Sequence, residues 1–331
     1  VRDVKLEALK TAYGRIKIAA DNINVYCHCP SPRCPTNTNR DKIKLVIRID
    51  DGRYHCWVCG IKGRNIADLT RRFVRRHADI VTHAFPSRRP TFDEPQPQQR
   101  EVVEVPQGMR LLATHVDDSN RGVQAMLRYL YSRGMSDVDL WRYRLCFSHE
   151  KQFRNRVIIP SFDASGKMNY YVTRTIDPRI YPRYVNASVK RQEVIFNEID
   201  IDWYNELVIT EGPFDAMNCG GNVTCLLGNS MDTKFGLFRK IVEHATPIVL
   251  ALDAEEVENT RKLAHLLYSY DINVRIMDVS GHKDLGSMPR EVIRERLDDA
   301  KLWTPQSSLM NKISRINDQT VSGSLDSFLN I

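Results

Sequence analysis

The stretch LVITEGPFDAM, Leu207–Met217, sets a short apolar run directly before an acid, Glu211, and a Gly-Pro pair. A run of this length bounded by Gly and Pro reads as a buried strand. Pro213 suits the first position of a following helix. Asp215 then falls in the first helical turn, where the helix dipole favours an acid whatever its function. Glu211 stands at the carboxyl end of the strand, and alone it has an ordinary explanation as a solvated turn residue. Three further apolar runs follow, NVTCLL, IVLALD and NVRIMDV, separated by helix-like segments. That alternation predicts an α/β unit with a mostly parallel sheet.

Further acids recur at the predicted strand ends. Asp253, Glu255 and Glu256 follow IVLAL, and Lys283 and Asp284 follow NVRIMDV after a short loop. Ligands of open parallel sheets gather at the carboxyl ends of the strands. Carboxylates brought close together repel one another unless they hold cations. Paired divalent cations are the usual apparatus of phosphoryl transfer. Singly each acid has a bland reading; together they predict a metal site.

Five of the eight cysteines fall within Cys27–Cys59. Cys56-Trp57-Val58-Cys59-Gly60 has the form of a zinc knuckle. Cys29 and Cys34 supply the other half, and KIKLVIRIDDGRYH between the halves reads as a hairpin turning at Asp51-Gly52. Two cysteine turns joined by a hairpin make a zinc ribbon. Cys29, Cys34, Cys56 and Cys59 are the expected ligands of a structural zinc, with Cys27 as the rival for one place. Trp57, inside the knuckle, is a candidate platform for stacking a base, or equally a core aromatic of a small domain.

The chain of 331 residues is 42% hydrophobic and carries a net charge of +7. It has no apolar run near the ~20 residues that span a membrane and no signal-peptide pattern at its start. A cytoplasmic protein is expected. Lys62, Arg64, Arg71, Arg72, Arg75, Arg76, Arg88 and Arg89 face only Asp68 and Asp79 between Gly60 and Pro90. This imbalance predicts a polyanion contact. Residues 1–22 and Ile61–Thr82 read as helical. The proline- and glutamine-rich stretch from Phe85 to Gly108 reads as a linker. Gln124–Arg133 reads as a helix and Arg156–Ile176 as a hairpin around Asp-Ala-Ser-Gly. The segment from Thr304 to Ile331 reads as a mobile or docking tail.

Taken in this order, the zinc ribbon, linker, basic segment and acid-bearing strand ends of residues 25–288 resemble the zinc-ribbon/Toprim DNA primases of bacteria and their phages, the DnaG-like family. EGPFD resembles the first Toprim motif, LDAEE the second (usually Asp-x-Asp), and HKDLG the later Lys-Asp element. Family members often carry another acid two residues beyond Asp284, where this chain has Gly286. The short segment after the Toprim region resembles the phage members more than the bacterial ones.

The resemblance implies an α/β Toprim core with an α+β basic subdomain and a small N-terminal zinc-ribbon domain. The implied division is 1–84 zinc ribbon with flanking helices, 85–108 linker, 109–200 basic part of the polymerase domain, 201–303 Toprim and 304–331 tail. It implies synthesis of short RNA primers on single-stranded DNA from ribonucleoside triphosphates, with a replicative helicase as partner. Glu211, Asp253, Glu255, Asp284 and Asp215 would be the catalytic acids. Glu211, Asp253 and Glu255 would hold Mg²⁺ or Mn²⁺, with Glu211 as ligand or general base. Arg156, Arg174, Arg183, Asn186 and Lys283 would line the cleft for nucleotide and DNA. The location would be the cytoplasm, of the bacterial host for a phage-encoded chain. Two alternatives are a Toprim metal-dependent nuclease and a non-enzymatic zinc-finger/Toprim recombination mediator.

Overall fold

A computed structural model describes residues 2–39, 41–86, 103–282 and 284–307. Lys283, Arg88, Arg89, the middle of the expected linker and most of the expected tail lie outside the described residues.

The chain opens with helix α1 (Arg2–Tyr13), which buries Ala8, Leu9 and Tyr13. It ends well before residue 22, contrary to expectation. Gly14 turns the chain, its N–H bonding the carbonyl of Lys10 at 2.8 Å. Strands β1 (Lys17–Ile18), β2 (Asn24–His28), β3 (Ile43–Arg48), β4 (Tyr54–Cys56) and β5 (Lys62–Gly63) form an antiparallel sheet in sequence order. The single helix expected over Ile61–Thr82 is instead β5 and two helices, α2 (Ile66–Phe73) and α3 (Ala78–Ala84). The Asn65 side chain caps α2 by accepting from the Ala67 N–H. Val74, with a non-helical φ of −132° and ψ of 44°, separates α2 from α3. Leu9, Val25, Leu45, Ile47, Ile66, Leu69 and Phe85 share the core of this first module.

A second antiparallel sheet, ordered β10-β9-β8-β7-β6, comprises β6 (Arg110–Leu111), β7 (Cys146–Phe147), β8 (Arg156–Phe162), β9 (Met168–Thr175) and β10 (Tyr184–Asn186). Helices α4 (Arg121–Ser132) and α5 (Asp137–Arg142) lie between β6 and β7. The β8–β9 hairpin turns where Asp163 Oδ1 accepts from the N–H groups of Ser165 and Lys167. Phe85 and Val103, near the two ends of the expected linker, are both buried in the modules that flank it.

The third sheet holds β11 (Leu207–Thr210), β12 (Val223–Cys225), β13 (Ile248–Leu250), β14 (Val274–Ile276) and β15 (Lys301–Leu302), ordered β12-β11-β13-β14-β15. The first four are mutually parallel and β15 closes the edge antiparallel. Helices α6 (Pro213–Cys219), α7 (Gly236–His244), α8 (Val257–Ser269) and α9 (Arg290–Asp298) connect them. The chain leaves β11 toward β12 and returns to β13 on the other side. A switch point therefore opens between the carboxyl ends of β11 and β13. One face of this sheet shares a continuous core with the second sheet, including Phe214, Met217, Val123 and Leu127. The other face packs its own cluster around Phe238, Ile241 and Leu263.

The first module sits at the opposite, amino-terminal edge of the parallel strands. Arg33 pairs with Glu206 at 2.7 Å, and Arg64 with Asp271 at 2.6 Å. The Lys62 N–H donates to Asn273 Oδ1 at 3.1 Å, and its ammonium stands 3.4 Å over the Tyr268 ring. Arg71 pairs with Asp68 at 2.7 Å, Arg72 is buried, and Arg75 reaches Asp202 at 3.7 Å. Arg64 and Arg75 thus find acids at the residues that precede β14 and β11. Among the described residues, no helix is long and apolar enough to cross a membrane.

Candidate active site

Three adjacent parallel strands end at one edge, and each delivers an acid there. Glu211 follows β11 at once, Asp253 follows β13 by three residues, and Asp284 is carried by the loop after β14. Burial and the charges of Asp253, Glu256 and Asp215 push Glu211 up to about 7. Glu211 and Asp253 stand close enough for each to shift the other. Burial raises Asp253 too, reinforced by Asp284, Glu255 and Glu256. These mutual shifts place all six acids within one field. Asp284 Oδ1 is buried and has no hydrogen-bond partner. These acids offer only oxygen donors, the kind a hard divalent cation takes, but among the described residues only the four cysteines bring three or more ligand atoms within reach of one ion.

Asp215 is held differently from the rest. Its Oδ2 accepts from the Gly212 N–H at 3.2 Å, the capping contact of a first-turn acid. Its Oδ1 accepts from the Gly286 N–H at 2.8 Å. Burial and Asp253 push it up to about 6, against the pull of these two donors. Asp215 therefore ties the loop that carries Asp284 to the start of α6. Buried Asn218, one turn on, donates to the carbonyls of Leu285 and Met288, both at 2.7 Å. A Cβ added at Gly286 would come within 3.1 Å of Asp215 Oδ1 and 3.5 Å of Asp284 Oδ1. The place where family members often carry an acid is thus too close-packed here for a side chain to enter freely.

Basic residues border the acids. The Arg133 guanidinium lies 4.8 Å from the Phe214 ring centre and 5.6 Å from that of Tyr129. Its Nη1 is 3.7 Å from the Cβ position of Gly286. Arg174 stacks 4.6 Å from the Tyr184 ring, its cross-strand neighbour on β10, and its buried Nε has no partner. Burial pushes the Tyr184 hydroxyl up, while Arg174 and Arg133 pull it down and Asp215 adds to the rise. Arg174, Tyr184, Arg133 and Asp215 therefore meet in one place. Arg183 and Asn186 are exposed beside it. Stacked, fixed guanidinium groups suit phosphate oxygens.

Arg156 does not join them. It is 4% exposed, and its fork donates to the carbonyls of Pro182 at 2.7 Å and Arg183 at 3.2 Å. Its donors are spent on shaping the β9–β10 loop, which corrects the expectation that it lines the cleft. Lys283 lies outside the described residues.

The four cysteines named from spacing come together in the first module, with all ligand atoms within 4.8 Å of one another. Cys29 Sγ lies 3.8 Å from Cys59 Sγ, and Cys34 Sγ 3.9 Å from Cys56 Sγ. A sulfur tetrahedron around zinc, with Zn–S of about 2.3 Å, has edges of about 3.8 Å. The cluster is therefore compatible with structural zinc. Gly60, with φ of +74°, closes the second turn, its N–H bonding the Cys56 carbonyl at 2.9 Å. Cys27 stands outside the set, buried opposite Leu45 on β3 with its thiol raised by burial. Trp57 is 72% exposed and edge-on to His55 at 4.4 Å, so it is not a core aromatic.

Sequence reasoning missed Arg133 and Asn218. An Arg before Gly at a helix end reads as an ordinary dipole partner, and a lone Asn in a predicted helix carries no signal. Only the packing of α4 against α6 brings Arg133 to the acids.

No family model matches the chain. The DNA primase of Campylobacter jejuni is 20% identical to it over 302 residues, 76% of this chain and 49% of that protein. The chain thus spans about half the length of the curated relative it matches. Among solved structures, the Aquifex aeolicus primase (zinc-binding and RNA polymerase domains) is similar over 94% of this chain and 88% of that one, with 15% identity and a TM-score of 0.48. The DnaG primase catalytic domain bound to single-stranded DNA is similar over 58% and 79%, with 15% identity and a TM-score of 0.47.

Proposed function

We propose that this chain is a DNA primase that makes short RNA primers on single-stranded DNA by metal-dependent nucleotidyl transfer. The observation that carries the reading is the convergence of Glu211, Asp253 and Asp284 from three adjacent parallel strand ends, bordered by Arg133 and Arg174. The distant similarity to the Campylobacter jejuni primase supports it.

Mg²⁺ or Mn²⁺ held by Asp253, Glu255 and Asp284 would supply charge neutralisation at the α-phosphate and a lowered pKa for the attacking hydroxyl. Glu211, pushed up to about 7, is poised to accept the proton of a ribose 3′-hydroxyl near neutral pH. The hydroxyl oxygen then bonds the α-phosphorus of the incoming triphosphate, and the bond to pyrophosphate breaks. Arg133 and Arg174 bind the phosphates and orient them in line. Asp215 and Asn218 hold the Asp284 loop in register and touch no reacting atom. The cysteine module, carrying exposed Trp57, contacts unpaired template.

The test is synthesis from single-stranded DNA, labelled ribonucleoside triphosphates and Mg²⁺ or Mn²⁺. Short labelled RNA is the expected product. DNA cleavage without RNA synthesis under both metals would instead mark a nuclease.

A further inference from the structure

Buried Arg156 raises a question about what it holds in place. Both arms of its fork end on consecutive carbonyls, Pro182 and Arg183, at the end of the loop joining β9 to β10. The Thr175 N–H fixes the same loop end by donating to the Arg183 carbonyl at 3.0 Å. On the other limb, Asp177 Oδ1 accepts from the Arg179 N–H at 3.0 Å. Tyr181, directly before the braced Pro182, is 91% exposed. Among the described residues its ring touches no other ring or cation. It is a bare aromatic on a braced loop, without a partner among the described residues.

Its surroundings indicate what it would take. Arg183, two residues on, is exposed and has no ion-pair partner among the described residues. Arg179 is also exposed but is neutralised by Asp177 at 2.8 Å. Tyr184, three residues on, stacks with Arg174 beside Asp215. Three residues of chain span at most about 10 Å, so Tyr181 lies within that reach of Tyr184.

We propose that Tyr181 is a stacking platform for an unpaired base of the template strand beside the acid cluster. Arg183 takes an adjacent phosphate, and Arg156 is a positioning residue that aims the loop. The platform suits single strands because paired bases keep their faces stacked on each other, whereas an unpaired base has a free face. The inference rests on the reading that this cleft takes a nucleic-acid strand.

The experiment measures binding of a fluorescent oligo-dT single strand to the full chain at two salt concentrations, without nucleotides. Tyr181→Ala is expected to weaken binding by about 5- to 150-fold, the range of one lost base stack. Tyr181→Trp and Tyr181→Phe should retain it. The salt slope should stay the same in Tyr181→Ala and fall by about 0.7 in Arg183→Ala. Because Tyr181 is exposed, the variant should melt like the parent. In a double-mutant cycle, Arg156→Lys should cost little affinity once Tyr181 is already Ala. Tight binding by the parent with unchanged affinity in Tyr181→Ala overturns the platform alone, and leaves the tyrosine as a contact for another protein. Failure of the parent to bind the strand overturns the cleft reading and this inference together.

Discussion

Oδ1 of Asp215 accepts a hydrogen bond from the backbone N–H of Gly286 at 2.8 Å, joining the helix behind Glu211 to the loop that carries Asp284. The contact makes the third acid a dependant of the first strand end. Gly286→Asp would force a Cβ against Asp215 and add a like charge to a crowded site. It should lower stability by roughly 1–3 kcal/mol and strongly reduce synthesis. Gly286→Ala should cost about 1 kcal/mol or less. Thermal melts of both variants check the order, and equal melts for Ala and Asp contradict it.

Asp139 accepts from Arg290 at 3.0 Å, and Arg290 in turn donates to Asn218. Burial raises Asp139, but the hydrogen bonds from Ser136 and the Arg290 charge outweigh it, so its pKa is lowered. A depressed carboxylate contributes stability above its unfolded pKa, and that contribution is lost as pH falls through the folded value. Asp139→Asn should therefore destabilise at neutral pH by on the order of 1–3 kcal/mol. The gap from the parent should close in strong acid. Denaturant melts across pH 2–7 measure this, and a gap that widens in acid contradicts it.

Stripping metal from the cysteine cluster should unfold the module built on Leu9, Val25, Leu45 and Ile66. A tiny core of this kind depends on its metal. The parallel sheet, with its own cores, should remain. Hydrogen exchange before and after chelation reads the two regions separately. Protection retained throughout the module after complete zinc loss contradicts the assignment.

Arg64 and Asp271, at 2.6 Å and both more than a third exposed, help seat that module at the far edge of the sheet. Exposed pairs of this kind contribute about 0–1 kcal/mol and weaken in salt. Arg64→Asp should loosen the seat, seen as faster exchange around Lys62, and adding Asp271→Arg should restore it. No rescue by the reversed pair means the ion pair does not hold the module.

The acid-bearing sheet is legible because LVIT, IVLAL and NVRIM are short apolar runs that each break at Gly, Pro or acid. Their alternation with helices leaves little but a parallel arrangement. The cysteine set is legible because spacing on tight turns constrains where sulfurs meet. Arg156 misleads, since an Arg at a strand end looks the same whether it faces phosphate or two backbone carbonyls. The basic run from Lys62 to Arg75 hides its partners within the chain for a similar reason. Asp202 and Asp271, which pair with Arg75 and Arg64, lie more than 120 residues away in sequence and meet them only through tertiary packing. Arg133 stays hidden because nothing local distinguishes a helix-ending Arg from one stacked on Phe214.

The most direct measurement compares the parent with Glu211→Gln in primer synthesis on single-stranded DNA with ribonucleoside triphosphates and Mg²⁺ or Mn²⁺. The replacement keeps the shape at Glu211 and removes its charge and its capacity to take a proton. The parent should make short RNA, and the variant should lose it by a factor of at least about 100, as expected for a lost general base or metal ligand. Both should melt alike and bind DNA alike. Undiminished synthesis by Glu211→Gln, or no synthesis by the parent under either metal, contradicts the account.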